Sequence, residues 1–209
     1  MSQSSTPSAA PSIVLVRHGE TEWSLSGQHT GRTDIPLTER GIEQARAVGR
    51  ALGGRRFGLV LTSPLRRSVH TAELAGYGVE AQVEPDLTEW DYGAYEGLTS
   101  AQISERFGEE WNLWRNGVEI DSEGRGEEVA DLLRRDEAVI RRARRALNQG
   151  DDVLVFSHGH FLRTLAATWT GLPVSGGEHF ALDTASVSVL GFEHGNQVVR
   201  VWNRTPWAE

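Results

Sequence analysis

The sequence has no cysteine and no lysine, so all 21 of its positively charged side chains are arginine. The first absence rules out a thiolate nucleophile, a disulfide and a cysteine-ligated metal. The second rules out a Schiff-base lysine and the lysine of a phosphate-binding P-loop. No apolar run approaches the roughly 20 residues needed to cross a bilayer, so no membrane is expected as a partner. Positive charge is itself in deficit, with a formal net charge of −8. Phosphate backbones and anionic lipid surfaces are bound chiefly by clustered positive charge, so a nucleic-acid partner is not expected and any basic site must be local. Residues 1–11 are rich in Ser, Pro and Ala and lack the basic and apolar segments of a secretory signal. They read as a disordered leader, and the chain as cytoplasmic. The remaining length, residues 12–209, suits one substantial core and is expected to form one domain.

What is present is organised around two similar stretches. Ile13-Val14-Leu15-Val16 is a short apolar run that stops at Arg17-His18-Gly19, and Val153-Leu154-Val155-Phe156 stops at Ser157-His158-Gly159. Each reads as a buried strand with its histidine at the carboxyl edge, where open α/β sheets bind ligands. Between them, residues 20–36 carry glycine and proline breaks and read as a substrate loop. Thr38 is a helix N-cap, with Ile42, Ala45, Val48 and Leu52 at helical spacing and Gly53-Gly54 as the stop. Residues 57–63 form another apolar strand, and Pro64 suits the start of the helix carrying Arg66 and Arg67. A strand over 79–83 leads into Glu89-Trp90-Asp91-Tyr92-Gly93-Ala94-Tyr95-Glu96-Gly97, too rich in acids and aromatics for ordinary core.

Residues 99–107 read as a short helix, with Trp111 and Trp114 beyond it on one helical face. Residues 127–148 form a long helix with Val129, Leu132, Leu133, Ile140, Ala143 and Leu147 in its stripe, and with Asp131–Arg135 and Glu137–Arg141 as ion pairs. A helix over 161–170 and a closing strand pair, 185–192 with 198–202, complete the chain. The alternation predicts an α/β three-layer sandwich, a mostly parallel central sheet flanked by helices.

Gathered at one sheet edge, Arg17, Arg67, His18 and His158 would make an anion pocket suited to a phosphoryl group, because guanidinium forks match phosphate oxygens. The nucleophile is then His, Ser, Thr, Tyr, a carboxylate or water, with histidine favoured near neutral pH. In their order, Leu15-Val16-Arg17-His18-Gly19-Glu20-Thr21, Thr62-Ser63-Pro64-Leu65-Arg66-Arg67, Glu89 with Tyr92-Gly93-Ala94-Tyr95-Glu96-Gly97, and Ser157-His158-Gly159 resemble the histidine phosphatase superfamily, the phosphoglycerate mutase-like proteins. Finer motifs around Trp23, Trp90 and His160 are similar to its mycobacterial broad-specificity acid phosphatases and fungal sedoheptulose bisphosphatases.

The resemblance implies a phosphoglycerate mutase-like fold and hydrolysis of small phosphomonoesters, such as sugar phosphates and related metabolites. It implies His18 as the phosphorus-attacking nucleophile, Arg17, Arg67 and His158 as holders of the phosphoryl oxygens, and Glu89 as the proton donor that then activates water. Ser24, Thr30, Gly31 and Gly159 would lie on the substrate, and His29 and Arg163 would meet a distal phosphate or sugar hydroxyl. Arg163 has a structural ion pair as its alternative role. No metal and no organic cofactor are implied; a homodimer is compatible with the sequence.

Two departures from the family pattern stand out. Trp90-Asp91 follows Glu89 where mutases carry Arg-His, which sets mutase-type phosphoryl transfer behind hydrolysis. The family's Gly-Gly-Glu-Ser is here Gly124-Arg125-Gly126-Glu127-Glu128. The rival readings are a metal pair at His158 and His160 and a non-catalytic phosphate-binding module. Trp23, Trp111 and Trp114 are read as core or rim.

Overall fold

A computed structural model describes residues 10–208. The leader expected over 1–11 lies outside them except for Ala10 and Pro11. Six strands form one sheet in the order β3-β2-β4-β1-β5-β6. Strands β1 (Ile13–Arg17), β2 (Leu59–Thr62), β3 (Ala81–Val83) and β4 (Val153–Ser157) run parallel, while β5 (Val187–Glu193) and β6 (Asn196–Arg204) close the sheet antiparallel.

The two histidine-bearing strands are neighbours in register, from Ile13 opposite Val153 to Arg17 opposite Ser157. Both are apolar on both faces because both faces are covered. Ile13, Leu15, Val153 and Val155 pack on one side with Leu132, Ile140 and Phe161, from helices α6 (Val129–Leu147) and α7 (Gly159–Trp169). Val14, Val16, Leu154 and Phe156 pack on the other with Val48 and Ala72, from α2 (Glu39–Leu52) and α3 (Arg66–Leu74). Three layers, helices on a mostly parallel sheet, are thus the observed architecture.

Local detail departs from the sequence reading where short-range hydrogen bonding decides. Residues 20–36 are not all loop: Thr21 and Ser24 form a reciprocal capping box that starts a five-residue helix, α1 (Glu22–Ser26), ended by Gly27 at φ 79°. Pro64 does not begin α3. The chain bends through Ser63-Pro64, Leu65 takes the N-cap position, and the free N–H of Arg66 is satisfied by Asp34 Oδ1 at 2.9 Å. Helix α4 (Ser100–Phe107) forms where the sequence reads as a short helix, and it starts at a Thr99 capping box. Trp111 and Trp114 do not share a helix, because the next one, α5 (Leu113–Asn116), begins after Trp111.

On α6, Val129 and Leu133 are exposed and fall outside the buried stripe. Arg135 pairs with Glu127 rather than Asp131, which pairs with Arg134. Glu137–Arg141 forms as read.

The buried stripe of α6 also contains Asp136, which is fully shielded from solvent. Among the described residues its carboxyl group accepts hydrogen bonds from two hydroxyls of α7, Thr164 at 3.2 Å and Thr168 at 3.0 Å. Burial pushes its pKa well above the usual carboxylate range. A carboxyl whose folded value exceeds its unfolded value stabilises the fold fully below the unfolded value, and that contribution is lost as pH rises through the folded one. Asp136→Asn is therefore expected to raise the melting temperature by a few degrees at neutral pH and to change it little near pH 4. A scan of Tm against pH checks this, and an equal shift at both ends would contradict it.

Candidate active site

The segment after β1 is fixed before any side chain is considered. The backbone N–H of His18 bonds Ser157 O of β4 at 2.9 Å, continuing the strand ladder one residue past its end. Gly19 N–H donates to Thr71 Oγ1 of α3 at 3.0 Å, and Glu20 N–H to Gln44 Oε1 of α2 at 2.8 Å. Gly19 meets the start of α2 so closely that a Cβ there would lie 2.4 Å from Gly41 O. Only glycine permits that approach.

His18 is buried, and its Nδ1 lies 2.7 Å from its neighbour's carbonyl, Gly19 O. A carbonyl can only accept, so Nδ1 carries the proton and Nε2 keeps its lone pair. Burial, with Arg67 and Arg17 nearby, holds the imidazole pKa well below the ordinary histidine range. The ring of His158 is 5.1 Å away, centroid to centroid. Its protonation is set by Arg67, whose Nε donates to His158 Nδ1 at 3.1 Å, so Nε2 carries the proton toward Ser63 Oγ at 2.7 Å. Ser63 stands at the end of β2, and three adjacent strands thus converge on one imidazole pair.

Arg67 is completely buried in the first turn of α3. Besides His158, it donates to the carbonyls of Thr30 (3.0 Å), Gly31 (2.9 Å) and Thr33 (2.9 Å). Four of its five donors are therefore engaged within the protein, and it fastens the 30–33 loop over the sheet edge. Arg17 is different. Its Nη1 donates to Leu182 O at 2.5 Å, but its buried Nε has no partner among the described residues. The guanidinium lies against Gly159, where a Cβ would come within 3.3 Å of Cζ.

Glu89 is held at the N-terminus of α7. Its Oε1 accepts from the N–H groups of Trp90 (2.9 Å) and Phe161 (2.8 Å), and its Oε2 from His160 N–H (3.0 Å). A helix N-terminus presents unpaired N–H groups, and here they hydrogen-bond the carboxyl oxygens of Glu89.

Arg17, His18, Glu89, Gly159 and Thr30 line one cavity of about 380 Å³, together with Ser24, His29 and Arg163. Arg67, His158 and Gly31 stand behind this wall. Gly31 N–H is tied to Glu96 Oε1 at 2.9 Å, and the Ser24 hydroxyl is engaged in the Thr21 capping box. The far end is aromatic. His29 donates from Nδ1 to Leu98 O at 2.8 Å and stacks with His160 at 6.0 Å, and Tyr92 OH pairs with His160 Nδ1 at 2.6 Å. Burial lowers both of these imidazole pKa values.

Arg163 lies 4.5 Å over the Trp114 ring and donates to Gly177 O and Glu178 O, with carbonyls and an indole in place of the carboxylate of an ion pair. Trp111 is buried in the core and Trp114 packs against it, as read, and both, with Trp23, also line the cavity. Among the lining residues that the sequence did not single out for the site are His160, Tyr92, Gln28 and Asn112. The acid- and aromatic-rich run from Glu89 and the Trp111/Trp114 spacing were the available signals. His158 and His160 diverge to different partners, and among the described residues no group of His, Cys, Asp and Glu could hold a metal ion.

Comparison with known proteins agrees with this geometry. Residues 13–205 match the model of the histidine phosphatase superfamily, branch 1. The chain is 42% identical to an acid phosphatase of Mycobacterium tuberculosis, over 92% of each chain. It is 36% identical to the sedoheptulose 1,7-bisphosphatase of Saccharomyces cerevisiae, over 80% of this chain and 70% of that one. Among solved structures, a phosphoserine phosphatase of Entamoeba histolytica in complex with 3-phosphoglyceric acid superposes with a TM-score of 0.77 at 28% identity, covering 93% of this chain and 98% of that one. The chain belongs to the histidine phosphatase superfamily. It is a phosphoric monoester hydrolase acting on small phosphorylated molecules.

The lowered pKa of His18 has a direct reading. At about pH 6, where an ordinary histidine is largely protonated, His18 is expected to stay neutral with its proton on Nδ1. Nitrogen-15 NMR of the imidazole reports this, and an imidazolium signal at that pH would contradict it.

Proposed function

We propose that the protein hydrolyses small phosphomonoesters, sugar phosphates and related metabolites among them, through a phosphohistidine at His18. The observation that carries the reading is the His18 Nδ1–Gly19 O bond. It leaves Nε2 unprotonated at a cavity that also holds a carboxyl group and a guanidinium whose buried Nε–H has no partner among the described residues.

In the first step a bond forms from His18 Nε2 to phosphorus as the ester P–O bond breaks, and Glu89 gives its proton to the departing oxygen. In the second, water attacks phosphorus and yields a proton to Glu89 as the N–P bond breaks, releasing inorganic phosphate. Charge builds on the non-bridging oxygens in both steps, where donors fixed in advance are most effective. Arg17 Nε–H, buried and uncommitted, is the donor best disposed for them. Arg67 acts from behind, adding positive charge and holding the 30–33 loop in place, and the neutral His158 packs beside the His18 ring. Thr30, Gly31, Ser24 and Gly159 shape the phosphoryl end. His29 and Arg163, among the aromatic rings, meet the leaving group, and a ring-walled surface bearing hydrogen-bonding nitrogens suits a polyhydroxylated carbon skeleton.

A panel of phosphorylated metabolites run with wild type and His18→Ala tests the reading. The substitution is expected to lower kcat/KM by roughly 10³ or more, and brief exposure of the wild type to labelled substrate is expected to leave phosphate on His18. Unchanged turnover in His18→Ala would overturn the mechanism.

A further inference from the structure

The segment just before α6, Gly126-Glu127-Glu128, carries a buried side chain that the cavity lining does not include. Glu127 and Arg135 form an ion pair that is largely buried, with side-chain exposures of 11% and 15%. The pairing is a two-pronged fork: Arg135 Nε donates to Glu127 Oε1 and Nη2 to Oε2, both at 2.7 Å. The remaining guanidinium nitrogen, Nη1, donates to two carbonyls, Asp86 O and Thr88 O, each at 2.7 Å. Both belong to the turn immediately before Glu89. On the far side of Glu89, Glu127 takes over. Its carbonyl accepts from Trp90 Nε1 at 2.9 Å and its Oε2 from Asp91 N–H at 3.3 Å.

One side-chain pair therefore grips the backbone on both sides of Glu89. The same guanidinium lies 4.8 Å over the ring of Phe161, the residue whose N–H holds Glu89 Oε1. The turn carrying Glu89 and the helix start that receives its carboxyl are thus referenced to a single planar group. The carbonyl between the two that Arg135 holds, Leu87 O, is bound by Ser157 Oγ at the end of β4 at 2.7 Å. Neither Glu127 nor Arg135 lines the cavity.

From this geometry we infer that Glu127 and Arg135 are a positioning pair for Glu89, fixing the reach of its carboxyl toward the leaving oxygen without touching substrate. The inference rests on the reading of Glu89 as the proton donor. Arginine is required at 135 because only a planar fork can serve a carboxylate and two carbonyls at once, and a lysine ammonium cannot reproduce that geometry.

The test compares two leaving groups. 4-Nitrophenyl phosphate releases a phenolate that departs without a proton, whereas glycerol phosphate releases an alkoxide that needs one. kcat/KM reports the phosphorylation step alone, so the ratio of alkyl to aryl kcat/KM measures proton donation rather than folding or phosphate binding. Glu89→Gln is expected to lower that ratio by about 10². Arg135→Lys is expected to lower it by about tenfold, in the same direction, as a partial loss of the same function. Glu127→Gln supplies a second reading of the ratio should Arg135→Lys fold poorly, and circular dichroism records folding for each. A ratio unchanged in Arg135→Lys and Glu127→Gln, with the drop seen in Glu89→Gln, would overturn the positioning role and leave the pair purely structural. A ratio unchanged in Glu89→Gln would instead overturn the assignment of the acid, and the inference with it.

Discussion

The in-register parallel pairing of β1 with β4 is the constraint on which the rest depends. It sets Arg17 opposite Ser157, and so brings His18 and His158 to the same sheet edge one residue later. Nothing in the side chains of the two histidines attracts one to the other; two imidazoles beside two guanidinium groups are mutually unfavourable when charged. The alignment is enforced by apolar residues on both faces of both strands, with β2 and β5 on the outer sides. Burial then keeps the imidazoles neutral, and the hydrogen bonds of each decide which nitrogen is bare. Core packing and reactivity are the same arrangement seen at two ends of the strand.

Much of this was legible in the sequence. A period of continuous apolar residues halted by Arg-His-Gly and by Ser-His-Gly marks strands buried on both faces, and the place where they stop is a sheet edge. Arg67 and Glu89 were legible from their motifs but not in their detailed service. That four Arg67 donors go to carbonyls and an imidazole depends on where residues 30–33 come to rest, a contact across more than thirty residues. The Arg135 pairing was misread for a related reason. Helical spacing offers Asp131 as a partner at one turn, yet Glu127, just before the helix, presents both oxygens to the guanidinium fork in a drier setting. Local periodicity gives the near partner, and desolvated geometry selects the better one.

Short helices and turn starts were the other misreadings. The α1 helix exists because Thr21 and Ser24 cap one another, an interaction invisible to hydrophobic periodicity. Helix α3 starts late because Ser63 and Asp34 satisfy N–H groups that Pro64 alone would have been thought to handle. In both cases polar atoms within a few ångströms outweighed a weak residue preference.

The cavity is divided in its origins. His18 and His158 hang from the ends of central strands, and the backbone of His18 is part of the sheet ladder itself. Trp111, Asn112 and Trp114 come instead from a segment outside the sheet, between α4 and α6. The two histidines thus come with the core strands, whereas much of the cavity's aromatic wall is carried by chain outside the sheet. A fold partitioned in this way lets the wall around the cavity diverge between lineages while the histidine-bearing strands stay in place. Phosphatases named for a bisphosphorylated sugar and for phosphoserine sharing this architecture fit that expectation.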